Sequence, residues 1–282
     1  MNLTGLKKPE TLRLFSSVAG YSLFAVAIVY GVYNAPEEIW KIQIGWILVC
    51  VCIVIVMFFL QQWQLNLLLR CHAVKAGWLY PALLNARRGF LNTLLPGRSG
   101  SLVLLHNLMH KYDIKWRYYL QYYILSGLIS IWVSVIATVG LLISWNYGAL
   151  MLLSTFVIFY YFTKNKKFKY ADRMHYLLFI AVCLFLAAVL LFFCILHGLG
   201  YALGLREASY FAVALNAIAQ FSITPGNIGV REVVMGLVSP FVTLPMSVGV
   251  IAGSLVLVLR LTVYGMSWAI LEFIYSSDVR DK

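Results

Sequence analysis

The chain has 282 residues, 62% of them hydrophobic and 11% charged, with a formal net charge of +12 at pH 7. So little charge over that length excludes a water-soluble globular domain, and several apolar runs reach the ~20 residues that a bilayer-spanning helix needs. The basic excess lies between those runs, where it orients a membrane protein and meets anionic lipid; nucleic acid is not an expected partner.

In chain order, Met1–Arg13 carries Lys7, Lys8 and Arg13 ahead of a first span, Leu14–Tyr33. No small-residue cleavage site follows, so it reads as a retained helix and not a signal peptide. The loop Asn34–Lys41 sets Glu37 and Glu38 against one lysine. The second span, Ile42–Leu69, ends in Gln61, Gln62, Gln64 and Asn66, which either line the mouth of a cavity or join helices to one another. Arg70–Lys75 is basic. Next comes Leu79–Leu105, too interrupted to cross cleanly because it holds Pro81, Arg87, Arg88, Pro96 and Arg98. The basic stretch His106–Arg117 leads to spans Tyr118–Ser144 and Trp145–Phe162, which meet at the uncharged Trp145–Tyr147. Lys164–Arg173 carries five basic residues and one acid, and the fifth span is His175–Leu205. A second interrupted segment, Ala208–Pro240, holds Pro225, Arg231, Glu232 and Pro240 before the sixth span, Phe241–Ile274. Basic loops resist translocation, so both termini are expected in the cytoplasm and the protein in the cytoplasmic (inner) membrane as a multi-pass resident. Cys50, Cys52, Cys71, Cys183 and Cys194 lie in or at the ends of spans in no metal-ligand spacing and read as packing residues.

The motif Pro96-Gly97-Arg98-Ser99-Gly100 recurs as Pro225-Gly226-Asn227-Ile228-Gly229, 129 positions on (96 to 225). The same offset lays Leu14–Tyr33 on Trp145–Phe162, Ile42–Leu69 on the run near Ala171–Gly198, and Tyr118–Ser144 on Val248–Phe273. The chain thus divides into 1–144 and 145–282, each with three spans and one interrupted segment. Three is odd, so the second half sits upside down relative to the first. The expected architecture is all-α, with six transmembrane helices and two re-entrant helical hairpins, 79–105 and 208–240, in an inverted-topology repeat. Proline removes a backbone donor and glycine permits positive φ, so the helices break at the two motifs. Backbone freed at membrane depth is tolerated only where protein buries it or where it lines a watery cavity. Broken helices at the junction of inverted repeats are also where secondary transporters hold substrate. The bland alternative makes each Pro-Gly an ordinary loop; recurrence at one offset favours the hairpins.

The expected tip residues are Pro96, Gly97, Gly100, Pro225, Gly226, Asn227 and Gly229. Half-helices starting near Ser99-Gly100 and Asn227-Gly229 would aim unpaired N–H groups and positive dipole ends inward, which makes an anion site. Arg98 sits in the first tip, Arg231 just past the second, and Arg260 midway along the last span between Leu259 and Leu261. A charge at that depth marks a functional cavity by default, and guanidinium groups suit phosphate oxygens. Glu232 either pairs with Arg231 or Arg260 or selects a cationic group on the ligand; an ion pair that only fixes the hairpin competes with these uses. Arg87 and Arg88 are expected to snorkel to the cytoplasmic headgroups. His106 and His110 have the helical spacing of a zinc protease, yet Asn107 stands where the catalytic glutamate belongs and a third ligand is missing, so no metal is expected. His197, isolated on an apolar span, reads as packed or bonded to backbone. Without a Gly-rich phosphate loop, a Ser-x-x-Lys pair or a serine-centred elbow, neither an enzyme nor a cofactor is expected.

At Asn92-Thr93-Leu94-Leu95-Pro96-Gly97-Arg98-Ser99-Gly100, at Thr224-Pro225-Gly226-Asn227-Ile228-Gly229-Val230-Arg231-Glu232, and at Arg260 with Tyr264, the chain resembles the flippase-like transmembrane domain of lysylphosphatidylglycerol synthases and their stand-alone relatives. The resemblance runs over most of the chain. It implies movement of a lipid headgroup between leaflets, aminoacylated phosphatidylglycerol in some members and isoprenoid-linked sugars in others. The substrate-binding set it points to is Arg98, Arg231, Glu232, Arg260, Tyr264 and Asn92. Arg98 and Arg231 would hand the phosphate between half-helix ends, with Arg260 a fixed charge and Glu232 a gate or counter-ion. The family usually follows its first motif with a glutamate and, a few residues on, an arginine; Ser101 and Leu104 occupy those places here. Ser101 argues against a lysyl headgroup, and the chain ends at Lys282 without a soluble synthase domain to make one. The expected partner is therefore an anionic phospholipid or a polyprenyl-phosphate-linked lipid, moved through a central cavity that opens to each leaflet in turn. Two other readings stay open: a small-solute or ion-coupled secondary transporter with a closed cavity, and a scaffold that recruits a separate lipid-modifying enzyme through Lys164–Arg173. A homo-oligomer is compatible with each.

Overall fold

The computed structural model describes residues 10–37, 42–74, 76–95, 99–164, 173–220, 224 and 227–280. Among them the regular structure is helical throughout: α1 Glu10–Tyr33, α2 Ile44–Cys71, α3 Leu79–Leu94, α4 Ser99–Tyr112, α5 Trp116–Leu142, α6 Trp145–Lys164, α7 Met174–Gly198, α8 Leu205–Gln220, α9 Val230–Val238 and α10 Met246–Arg280. A 3-10 turn, Ser239–Val242, joins the last two.

Four of these helices, α2, α5, α7 and α10, are long and apolar enough to cross a bilayer. The chain is a multi-pass membrane protein. These four correspond to the second, third, fifth and sixth expected spans. For the other two, α1 contains the apolar stretch Val18–Tyr33 and α6 is 20 residues long. Two boundaries differ from the sequence. Helix α7 ends at Gly198, seven residues before Leu205, because the chain turns back on itself there: the Tyr201 N–H bonds to the Leu196 carbonyl at 2.9 Å and the Gly200 N–H to His197 at 3.0 Å. Helix α10 starts at Met246 and not Phe241, because Thr243 is left-handed (φ 61°) and the Leu244 N–H returns to the Ser239 carbonyl at 3.0 Å.

Each interrupted segment forms a pair of helices packed against each other, α3 with α4 and α8 with α9. The first break opens at Leu95, whose backbone is extended (φ −107°, ψ 148°), the conformation that a following proline ring enforces. The order long, long, short, short, long thus occurs in α1–α5 and again in α6–α10. Helices α2 and α7 pack along each other at the centre, through Cys50, Val54 and Leu65 on one and Ile180, Leu191 and Ile195 on the other, all buried. The short helices cross between the halves: α3 lies on α10, and α8 lies on α5. Lipid tails are as apolar as leucine, so this assembly depends on close fit and on internal hydrogen bonds, not on exclusion of water. Buried Asn85 of α3 donates to the Phe58 carbonyl of α2 at 3.2 Å, and the amide of buried Gln62, turned to satisfy both partners, meets the Pro81 carbonyl at 2.9 Å and the Ala82 N–H at 3.2 Å.

Between α3 and α10 the fit is close: the buried Tyr264 ring lies against Gly89, and a Cβ at that glycine would be built into the ring. Gly89→Ala is expected to cost about 1–3 kcal/mol through overpacking. The thermal unfolding midpoint in detergent should fall, while Gly45→Ala, whose Cβ meets nothing within 4 Å, should leave it unchanged or higher.

Candidate functional site

Both helix breaks face one polar cavity of about 290 Å³. Its walls come from α2 (Gln61, Gln64), α3 (Arg88, Asn92, Thr93), α4 (Ser101), α5 (Tyr123, Ser126, Ser130), the second break (Thr224, Asn227), α9 (Arg231) and α10 (Arg260, Tyr264). Residues more than 100 positions apart in sequence converge here because α3 and α10 cross.

At the first break Asn92 closes the gap. Its Oδ1 accepts the Ser101 backbone N–H at 3.0 Å and its Nδ2 donates to the Ser101 hydroxyl at 3.0 Å. The Leu94 carbonyl at the end of α3 accepts the Tyr21 hydroxyl of α1 at 2.8 Å. Pro96, Gly97 and Arg98 lie outside the described residues, as do Pro225 and Gly226. At the second break Gly229 takes φ 82°, a left-handed conformation open to glycine, and a Cβ there would stand 2.6 Å from the Gly20 carbonyl oxygen. The Asn227 N–H bonds to the Thr224 carbonyl at 3.1 Å, Asn227 Nδ2 to the Ile218 carbonyl at 2.8 Å, and the Thr224 hydroxyl to the Ile228 carbonyl at 2.8 Å. Glu232, in the first turn of α9, reaches back to accept the Gly229 N–H at 2.6 Å, one arm of a capping box. The sequence sets unpaired N–H groups at the starts of both half-helices; one of these is met at each start, the Ser101 N–H by Asn92 and the Gly229 N–H by Glu232, since an unmet donor at membrane depth costs several kcal/mol. The full positive charges among the described lining residues are carried by side chains.

Those side chains are three arginines. Arg231, 3% exposed, directs Nε and Nη2 at Glu232 Oε1, at 3.0 and 2.8 Å, and Glu232 is wholly enclosed. Of the uses open to Glu232, pairing with Arg231 is the one the geometry adopts. Arg260 lies close enough to repel Arg231 and to interact with Tyr264. Tyr264 donates to Gln61 Oε1 at 2.9 Å, and Arg88 Nη2 donates to the same oxygen at 3.2 Å and to Asn85 Oδ1 at 2.8 Å. Thus Asn92, Arg231, Glu232, Arg260 and Tyr264 gather at one place.

Arg88 is a correction. It faces the cavity and does not snorkel, whereas Arg87 points outward, pairs with Glu272 at 3.4 Å and lies 5.3 Å over the Trp268 ring. Adjacent residues on a helix leave it in different directions, and here Arg88 turns to the cavity while Arg87 turns to Glu272 and Trp268. Sequence inspection also passed over α5, whose Tyr123, Ser126 and Ser130 line the cavity. Their signal was available, since polar residues at helical spacing on one stripe of an apolar span mark a face turned away from lipid. Gln64, weighed as a cavity residue, does line it and bonds the Ser126 hydroxyl. Elsewhere, His197 Nδ1 sits 2.9 Å from the Phe193 carbonyl, a local backbone bond. His106 and His110 are exposed with ring centroids 4.3 Å apart, and no group of three metal-ligating side chains occurs among the described residues.

Removing one partner of a buried ion pair leaves the other charge uncompensated, at about 3–5 kcal/mol, whereas removing both is cheaper. Glu232→Gln should therefore lower the thermal unfolding midpoint more than the double substitution Arg231→Met with Glu232→Gln. A double variant as damaged as the single one would show that the stranded Arg231 charge is not the cost.

Comparison with curated proteins found no match, and comparison with solved structures found none. A family model, by contrast, matches residues 14–271, nearly the whole chain. Its description is the lysylphosphatidylglycerol synthase TM region, and the match takes in both helix breaks, the three arginines and Glu232. The chain belongs to the lysylphosphatidylglycerol synthase TM region family.

Proposed function

We propose that this protein moves an anionic lipid headgroup between membrane leaflets through the cavity while the lipid tails stay in the bilayer. The single observation that carries the proposal is the set of three arginines, Arg88, Arg231 and Arg260, facing one polar cavity between two helix breaks. Charge in a membrane-spanning segment is expensive, and where it lines a cavity it marks the path or seat of a charged ligand. Guanidinium groups meet phosphate oxygens in forked pairs, so a phosphate-bearing headgroup is the matching chemistry. Family membership supports a role in membrane lipid biology. At about 290 Å³ the cavity suits a headgroup and not a whole lipid.

The remaining pieces fit a transporter and not an enzyme. The twofold order of helices and the crossing of α3 onto α10 and α8 onto α5 support an inverted repeat with re-entrant hairpins, the design in which two halves rock about a fixed central site. In this scheme Arg260 and Arg88 hold the headgroup, Glu232 is the counter-ion of Arg231, and Gln61 and Tyr264 position the guanidinium groups. Among the described residues the lining contains no paired acid and base of the kind that bond cleavage needs.

The test is lipid translocation in reconstituted vesicles, read by quenching of a fluorescent phosphatidic acid. A charge-assisted hydrogen bond contributes ~1.5–3 kcal/mol, so Arg260→Ala and Arg88→Ala should each slow translocation about 10- to 100-fold while the proteins stay folded. Neutralising the basic residues of Lys164–Arg173 should leave the rate unchanged. Wild-type rates in both arginine variants would sink the proposal, and loss only in the loop variant would favour a recruiting scaffold. Uptake of a water-soluble anion without lipid movement would favour a solute transporter.

A further inference from the structure

We infer that the headgroup this cavity accepts carries two negative charges and no positive one; the inference rests on the lipid-moving function proposed above and narrows its substrate. The described lining brings three guanidinium groups together and contains no aspartate or glutamate. The nearest carboxylate, Glu232, lies behind Arg231 with both oxygens engaged: Oε1 takes two N–H groups of Arg231, and Oε2 takes the Gly229 backbone N–H. Glu232 has no exposed surface, so it neutralises Arg231 and cannot reach an ammonium group on a ligand.

Among the described residues, two positive charges, Arg88 and Arg260, are then left to the ligand. Arg88 bonds to the neutral oxygens of Gln61 and Asn85, and Arg260 has the phenol of Tyr264 beside it. Both are partly exposed to the cavity, so a ligand that displaces its water has to supply the compensation that the neighbouring neutral groups do not. A phosphodiester supplies one negative charge and strands the second arginine. A zwitterionic or aminoacylated headgroup adds a cation that meets only like charge. A phosphate monoester supplies both negative charges on one compact group, and a diphosphate supplies at least two, each with enough oxygens to serve two guanidinium forks. The hydroxyls of Thr93, Ser126 and Ser130 and the amide of Gln64 line the rest of the cavity, and they match an uncharged, hydroxyl-bearing remainder.

Native mass spectrometry of the full chain in detergent separates these cases by titration with dioleoyl phosphatidic acid, farnesyl diphosphate, dioleoyl phosphatidylglycerol, lysyl-phosphatidylglycerol and sodium diphosphate. At pH 8 phosphatidic acid and farnesyl diphosphate should each bind about tenfold or more tighter than phosphatidylglycerol, the worth of one charge-assisted contact, and the lysyl lipid weaker still. At pH 5 the phosphate monoester loses its second charge, whose pKa is about 6, so its advantage over phosphatidylglycerol should vanish in the unaltered protein. Arg88→Gln and Arg260→Gln should each erase the same advantage while retaining monoanion binding. Equal binding of phosphatidic acid and phosphatidylglycerol at pH 8 would overturn the two-charge inference and leave lipid transport standing. Binding of sodium diphosphate with no lipid bound would overturn the lipid reading and leave the two charges standing. Lysyl-phosphatidylglycerol bound as tightly as phosphatidylglycerol would overturn the exclusion of cations.

Discussion

Breaking a helix inside a membrane frees backbone N–H and C=O groups that lipid cannot satisfy, and this demand shapes the rest of the structure. Each break answers it with side chains from its own neighbourhood. Asn92 spans from α3 to the first turn of α4, Tyr21 reaches across from α1 to the last carbonyl of α3, and Asn227, Thr224 and Glu232 close the second break. These bonds make the helix ends that flank each break polar walls of the cavity. They also explain why a residue as costly as Glu232 lies in a membrane interior with no exposed surface: one of its oxygens is needed by the backbone and the other by Arg231.

Capping has a consequence for electrostatics. A bare half-helix terminus offers a ligand a diffuse partial positive charge, whereas a capped one has spent much of that on its own side chain. The cavity takes its charge from Arg88, Arg231 and Arg260, which sit on three different helices. Arginine suits this role because it stays protonated and presents a rigid fork, so the field in the cavity survives burial that would neutralise a lysine. Placing the charges on α3, α9 and α10 also ties the ligand's preferred position to the packing of those helices, and any slip between them alters the spacing of the guanidinium groups.

Much of this was legible in the sequence, and the exceptions have physical causes. The four longest apolar runs match α2, α5, α7 and α10, since span length follows from bilayer thickness and little else. The repeated Pro-Gly motif located both breaks, because proline and glycine act locally. The place of Arg231 and Arg260 at the cavity could be anticipated from charge at depth, and that of Tyr264 and Asn92 from the family resemblance. Arg88 could not be placed by the same reasoning. Its neighbour Arg87 has the same chemistry, and only the rotational setting of α3 against α2 and α10 decides which of the two faces the cavity. The capping by Asn92 and Glu232 was equally hidden, for it depends on the gap between two helix ends. The polar stripe of α5 escaped because serine and tyrosine in an apolar span look like ordinary helix glue until the neighbouring wall is known.

Gln61 shows how the two ends of the charged site are kept together. Its side-chain oxygen accepts at once from Arg88 of α3 and Tyr264 of α10, so one amide joins helices from opposite halves of the chain. Directly beside it, the Tyr264 ring fills the space that Gly89 leaves empty. A movement that opens the cavity by drawing α10 away from α3 must break the bond to Gln61 and uncover that ring, whereas one that turns α3 and α10 together does neither. Intramembrane hydrogen bonds contribute only about 0.6 kcal/mol on average, so the amide is a weak latch and the ring contact is the stiffer constraint. Motion in this fold therefore favours paths that keep α3 and α10 together as one body and shift α5 and α8 against them. Such a path holds Arg88 and Arg260 at a fixed separation while the opposite wall of the cavity, with Ser126, Ser130 and Thr224, shifts relative to them.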